Sequence, residues 1–251
     1  MKIKKVSITG RKENPEAKKA AREAIKILEE KGISVETDKA FLGKGKSISA
    51  FSGDIVLSFG GDGTLLSVFR ELKKKIPVVG MGFGNVGYLQ TFNELDVEAS
   101  LEKILNNKIK IETRTRIQAK VDGKKVDLAL NEVLIVPEKA GRIMRYKMKI
   151  GSEISEEAGD GLIVATPTGS TAHALSAGGP MVKGNASVLV VVSVNPVDWT
   201  HRPVIINDHE KIIVTDFGKI KAELIVDGQK RYSIKKKAEI TKGTEVLLTT
   251  K

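Results

Sequence analysis

The chain has 251 residues, 41% of them hydrophobic and 29% charged, a balance that excludes a disordered chain and suits one large domain or two modest ones. Lys and Arg (42) outnumber Asp and Glu (31), giving +11, but the positive residues are spread along the sequence and aromatics are only 4%. A basic groove with stacking platforms is therefore not expected, and neither is a nucleic-acid partner. The lack of cysteine rules out disulfides and thiolate metal sites. No apolar run approaches the roughly 20 residues that span a bilayer, and no apolar signal segment follows Met1. The expectation is a cytoplasmic protein with no membrane partner.

The first ninety-odd residues alternate strand and helix signals. Lys2–Ile8 reads as a strand; Asn14 then reads as a helix cap with Pro15 at the first helical position, and Gly32 as the stop. Ile33–Val35 is a second short strand. Asp54–Phe59 is a third, apolar enough to be buried on both faces. The spacing of Leu65, Leu66, Phe69 and Leu72 predicts a helix over Thr64–Lys74, and Ile76–Gly80 returns as a strand. Such alternation indicates a parallel, doubly wound, Rossmann-like sheet. Asp96 caps one more helix to about Asn106.

Beyond it the texture becomes β. Ile111, Ile117 and Val121 fall in short strand-like runs, followed by Leu128–Val136, Tyr146–Ile150, Leu162–Ala165, Val188–Val192, Lys211–Val214, Ala222–Val226 and Val246–Thr250. Asp122-Gly123, Gly151-Ser152 and Asp227-Gly228 read as hairpin turns. The expected fold class is α/β plus β. A nucleotide-binding domain covers 1–95, a mainly β domain covers 96–235, and 236–251 is a candidate to complete the first.

Three segments carry chemistry. Gly60-Gly61-Asp62-Gly63-Thr64 joins a buried strand to a helix, where a parallel sheet binds ligands. Glycines there allow close backbone approach to phosphate oxygens, and the helix N-terminus favours anions. A carboxylate in that place is costly beside phosphate unless it accepts a hydroxyl proton or helps hold Mg²⁺; the bland alternative is an Asp capping the helix. Asn131-Glu132 stands in an otherwise apolar strand run, where at least one polar side chain points inward unless a ligand or loop takes it; the bland alternative is a turn or a strand end. In Gly159–Pro180 a strand feeds a turn rich in hydroxyls and then a glycine pair, a low-bulk polar surface suited to ribose and amide edges. Its bland alternative is a capped, Ser/Thr-rich turn.

In order and approximate spacing these segments resemble the NAD kinase family, most specifically through Thr166-Pro167-Thr168-Gly169-Ser170-Thr171-Ala172. Gly80–Leu89, Arg202-Pro203 and Asp227-Gly228-Gln229 are weaker echoes. The resemblance implies NAD and a phosphoryl donor, ATP or polyphosphate, as partners, Mg²⁺ arriving with the donor, and a homodimer or homotetramer. It implies transfer to the 2′-hydroxyl of the adenosine ribose, giving NADP. By that resemblance Asp62 is the base or positioning carboxylate, and Gly61, Gly63 and Thr64 hold phosphates. Asn131 and Glu132 bond adenine and ribose. Asp160, Thr171, Ala172 and Ser176 line the dinucleotide pocket, and Thr168 touches adenine. His173 stands where the family usually has Tyr, an imidazole of smaller stacking area placed among the nucleotide contacts. Gly87–Thr91 departs from the family pattern at the edge of the adenine pocket.

Lipid kinases of the diacylglycerol and sphingosine type and some phosphofructokinases are similar at Gly60–Thr64, but they leave Asn131-Glu132 and Thr166–Ala172 unexplained. A non-catalytic NAD-binding regulator is the other class of reading; Asp62 weighs against it, since pure binding beside phosphates favours a neutral or basic residue.

Overall fold

The apolar run before the glycine-rich turn forms the strand Ile55–Gly60, with all six residues buried. It pairs in parallel with Lys5–Gly10 on one side and Pro77–Gly82 on the other. The computed structural model describes residues 2–83, 87–93 and 96–250. The chain divides into two units, Met1–Thr113 with Val246–Lys251, and Arg114–Glu245. In the first unit a six-stranded sheet runs in the order Ser34–Thr37, Lys5–Gly10, Ile55–Gly60, Pro77–Gly82, Val246–Thr250, Lys110–Arg114. The helix Val97–Leu105 and the strand Lys110–Arg114 thus lie with the parallel sheet, placing the division after Thr113 instead of after residue 95.

Helices cover both faces, as the doubly wound expectation requires. Pro15–Glu30 buries Ala17, Ala20, Ala21, Ala24 and Leu28 against Val6, Ile8, Ile55, Leu57 and Phe59, together with Leu101 and Ile104 of the helix Val97–Leu105. Each large apolar side chain so buried contributes roughly 2 kcal/mol relative to exposure. Both expected caps form: Asn14 Oδ1 accepts from the Ala17 N–H at 3.0 Å and Asp96 Oδ1 from the Ala99 N–H at 2.9 Å. On the opposite face the helix Asp62–Glu71 buries Leu65, Leu66, Val68 and Phe69. It starts two residues earlier and ends three residues earlier than the predicted span. Leu72 is buried in an extended conformation, and the lysines after it have no apolar face to bury.

The buried Glu36 carboxylate ties the amino end of this sheet together. It accepts from Ser7 Oγ (2.6 Å) and from the N–H groups of Ser52 (2.5 Å) and Gly53 (3.0 Å), and pairs with Lys5 (2.8 Å) and Lys46 (3.2 Å). Burial alone would raise its pKa, but these partners outweigh it and hold the carboxyl well below the usual range.

In the second unit two six-stranded antiparallel sheets share one core, which includes Ile117, Ile212, Val214 and Ile240 from one sheet and Val133, Leu162, Leu189 and Leu224 from the other. The predicted strand Leu128–Val136 is broken: Lys124–Ala129 belongs to the first of these sheets and Glu132–Pro137 to the second. Leu130 and Asn131 form the crossing between sheets, so Asn131-Glu132 lies at a strand's start, as the bland alternative has it. Four further strands were not predicted: Glu153–Gly159, Lys230–Ile234 and Lys237–Lys242 are dominated by charged and polar residues, and Val204–Asn207 is a short apolar run. Asp122-Gly123 and Asp227-Gly228 turn their hairpins with positive φ at both positions (51° and 83°; 48° and 66°), the geometry of a type I′ turn.

Candidate active site

In the first sheet the chain passes from Lys5–Gly10 outward to Ser34–Thr37 on one side, and to Ile55–Gly60 and Pro77–Gly82 on the other. The order therefore reverses between Lys5–Gly10 and Ile55–Gly60, and the crevice beyond their carboxyl ends is where open α/β sheets bind ligands. Two loops flank it, the turn after Gly10 and Gly60–Thr64, stitched by Arg11 N–H to Phe59 O at 2.8 Å. Gly61 is the helix cap in an extended conformation with no side chain to block the N-terminus, and Asp62 is the first helical residue.

Asp62 is held by a strap from the far side of Pro77–Gly82. Its Oδ2 accepts from the Tyr88 N–H at 2.8 Å, and its Oδ1 from the Leu89 N–H at 3.2 Å and Gln90 Nε2 at 3.1 Å. A Cβ at Gly87 would collide with Asp62 Oδ1, so only glycine lets the strap close this far. The half-buried carboxylate is thus fixed in direction instead of capping its own helix, which the bland reading of the sequence required. Part of the weaker echo at Gly80–Leu89, namely Gly84–Val86, lies outside the described residues.

The second unit brings together Asn131, Glu132 and Thr168. Thr166 closes the strand Gly161–Ala165, whose Ala165 pairs with Glu132. The Thr166 N–H donates to Asn131 O at 2.8 Å, its Oγ1 donates to Leu130 O at 2.5 Å, and it accepts the Gly169 N–H at 3.1 Å. Gly169 packs so closely on the Asn131 carbonyl that a Cβ there would overlap it. Ser170 donates to Pro167 O and accepts from the Val182 N–H, pinning the loop that follows the glycine pair. The hydroxyl-rich turn therefore spends Thr166 and Ser170 on its own fold. In this cluster three oxygens remain buried and unpartnered among the described residues: Asn131 Oδ1, Glu132 Oε2 and Thr168 Oγ1. A buried polar atom left so costs about 1–3 kcal/mol, an expense that a bound hydrogen-bonding ligand removes.

Burial, and next the charge of Asp227, push the Glu132 carboxyl up to about 7. Thr171, Ala172, His173 and Ser176 follow on a single-turn 3₁₀ helix and the short helix His173–Ser176, with Thr171 and Ala172 half-buried and His173 and Ser176 exposed. Asp160 is not brought to this cluster. It stands at the opposite end of Gly161–Ala165, exposed, accepting from Asn195 Nδ2 at 2.9 Å. Asp227, read in the sequence mainly as a turn residue, is buried and contacts the cluster directly. Its Asp-Gly pair carries the hairpin signal, which hides the second task. Among the described residues no three His, Asp or Glu side chains converge as a metal cage.

A model of the ATP-NAD kinase N-terminal domain matches residues 46–109, and one of the C-terminal domain matches 130–245. The NAD kinase of Methanocorpusculum labreanum is 34% identical over 215 residues, covering 85% of this chain and 78% of that one. The chain belongs to the NAD kinase family. It is a phosphotransferase that phosphorylates NAD to NADP. The NAD kinase of Thermococcus kodakarensis is 31% identical over 94% of this chain and 89% of its own length. Among solved structures, the NAD kinase of Archaeoglobus fulgidus in complex with ATP superposes with a TM-score of 0.81, at 26% identity over 97% of this chain and 92% of that one. The yeast NADH kinase complexed with NADH reaches 0.86 at 20% identity, over all of this chain and 84% of that one, a likeness of fold.

Proposed function

We propose that Asp62 orients and deprotonates the 2′-hydroxyl of the adenosine ribose of NAD as a terminal phosphoryl group moves to it from ATP. The bond from the ribose oxygen to phosphorus forms while the bond from phosphorus to the departing ADP oxygen breaks, and the hydroxyl proton passes to the carboxylate. Charge and position matter more than covalent chemistry in such a transfer. The helix N-terminus at Gly61, Gly63 and Thr64 receives the phosphates. Asn131, Glu132 and Thr168 bond the adenosine, while Thr171, Ala172, His173 and Ser176 take the remainder of the dinucleotide. What chiefly supports the adenosine assignment is the set of three buried, unpartnered oxygens on Asn131, Glu132 and Thr168.

Among the described residues Asp62 accepts three hydrogen bonds, and a carboxylate has about four acceptor directions. One remains for the substrate hydroxyl or for Mg²⁺. Bound with the donor, that ion would sit chiefly on its phosphates with Asp62 as the protein's carboxylate, and would compensate phosphate charge. Incubation with NAD and ATP–Mg²⁺ is expected to give NADP. Chelation should reduce the rate by more than about 100-fold and added Mg²⁺ should restore it, with polyphosphate as a parallel donor arm. NAD bound without turnover, or lipid phosphorylated instead, would overturn the reading.

We also propose a homo-oligomer, a cytoplasmic location and no nucleic-acid partner. Ile154 (67% exposed) on Glu153–Gly159, and Val204 (49%) and Ile205 (50%) on Val204–Asn207, lie on edge strands of the two antiparallel sheets. All three border one groove of about 800 Å³. An apolar unpaired edge invites another chain, and a second copy fits both partners' needs at once. Sedimentation should give a dimer or tetramer mass for the native protein and a smaller one for Ile154→Lys/Ile205→Lys. A native monomer at micromolar concentration would end this proposal.

A further inference from the structure

All six backbone polar groups of Leu130, Asn131 and Glu132 are taken by only two residues. Asp227 Oδ2 accepts from the Leu130 N–H at 3.0 Å, and its Oδ1 from the N–H groups of Asn131 at 2.8 Å and Glu132 at 3.2 Å. The Asp227 N–H returns to Glu132 O at 3.0 Å, and Thr166 holds the other two carbonyls. A sheet ladder would normally serve these groups. At the crossing between two sheets backbone N–H groups serve only the carbonyls of Asn131 and Glu132, and for the three N–H groups a carboxylate stands in for the ladder. Bonds from N–H to an ionised acceptor are roughly twice as strong as neutral ones.

Asp227 reaches this place because it sits at φ 48° with Gly228 at φ 66°, in the three-residue turn Asp227-Gly228-Gln229 joining Ala222–Val226 to Lys230–Ile234. Its charge is matched by the buried guanidinium of Arg116, which is itself anchored to Thr244 O at 2.9 Å and Thr244 Oγ1 at 2.6 Å. With every backbone group engaged, the Cα–Cβ directions of Asn131 and Glu132 are set, and each side chain carries a buried oxygen without a partner among the described residues.

We propose that Asp227 is a positioning residue for NAD: its carboxylate fixes where Asn131 and Glu132 present their oxygens to the adenosine. This rests on the assignment of those two residues to NAD. Prealigned groups bind without an ordering cost, so loosening them weakens binding of the acceptor and leaves the donor untouched. In Asp227→Asn the amide oxygen can keep the bonds from Asn131 and Glu132, while the amide nitrogen opposes the Leu130 N–H. The expected result, by calorimetric titration and steady-state kinetics, is a Kd and KM for NAD raised about tenfold, with the KM for ATP and kcat each within about threefold. A structural role alone would lower Tm without this selective effect.

Gly228→Ala strains only the turn that aims Asp227, since nothing lies within 4 Å of its added methyl, and should raise the Kd for NAD two- to fivefold. It decides the matter if Asp227→Asn does not fold. Asn131→Ala separates the two assignments. A raised Kd for NAD in Asn131→Ala with unchanged values in the Asp227 and Gly228 variants overturns the positioning role. Unchanged NAD binding in Asn131→Ala as well overturns the assignment beneath it.

Discussion

Asp62→Asn is expected to lower kcat for NADP formation by about 10²–10⁴, a loss of about 3–5 kcal/mol of transition-state stabilisation, while the Kd for NAD stays within about threefold. The side chain keeps its size, and one face of the amide can still accept from Leu89 and Gln90. The lost capacity is that of taking a proton and compensating charge beside the phosphates. Because the other face of the amide would turn N–H toward the Tyr88 N–H, part of any effect could arise from a loosened strap. Gln90→Leu tests that part. It removes one strap bond but leaves the carboxylate, and kcat should fall by less than about tenfold. Asp62→Asn turnover within threefold of the native rate would remove Asp62 from the chemistry.

A second large effect concerns stability and pH. Glu132 has its pKa raised from 4.5 to about 7, first by burial and then by the charge of Asp227, with the Arg116 guanidinium behind that carboxylate. A raised carboxyl binds its proton more tightly in the folded state. Its favourable contribution is therefore complete below about pH 4.5 and is lost as pH rises through about 7. A shift of 2–3 units corresponds to about 3 kcal/mol. Glu132→Gln carries no charge at any pH. Its stability relative to the native protein without ligand should therefore improve by about 3 kcal/mol between pH 4.5 and pH 8.5, measured by urea unfolding at a series of pH values. A difference independent of pH would contradict the burial of an ionising carboxyl as its origin. Under the proposed contact of Glu132 with the adenosine, the variant should also bind NAD more weakly, the native residue holding a stability cost for that contact.

The parallel sheet was legible because its signals are local. Asn14 and Asp96 cap the helices they precede, and Ile55–Gly60 is apolar without interruption. The site was legible in its residue types and less so in its construction. Thr166 and Ser170 look like ligand groups in the sequence but are consumed within their own turn, whereas Thr168 between them is left unpartnered. For Thr166 the partner is a carbonyl 36 residues away, out of reach of any local side-chain pattern. The break at Leu130-Asn131 was hidden for the same reason: the apolar pattern runs straight through it, and what breaks the strand is Asp227, 96 residues further along. The strand Glu153–Gly159 was hidden because Glu153, Glu156 and Glu157 leave no alternating apolar run to mark it.

The strand Val246–Thr250 lies inside the first sheet, between Pro77–Gly82 and Lys110–Arg114, with Thr249 Oγ1 bonded to Val78 O at 3.2 Å and paired with Thr91 Oγ1 at 2.7 Å. During synthesis this gives the two units opposite timetables. The residues of the second are all available before those of the first, although the first begins emerging from the ribosome earlier. Until Thr249 is delivered, Pro77–Gly82 has an open apolar edge at which another nascent chain could pair. The helix start bearing Asp62 is therefore mounted on a sheet that becomes whole only after every residue of the second unit has been made.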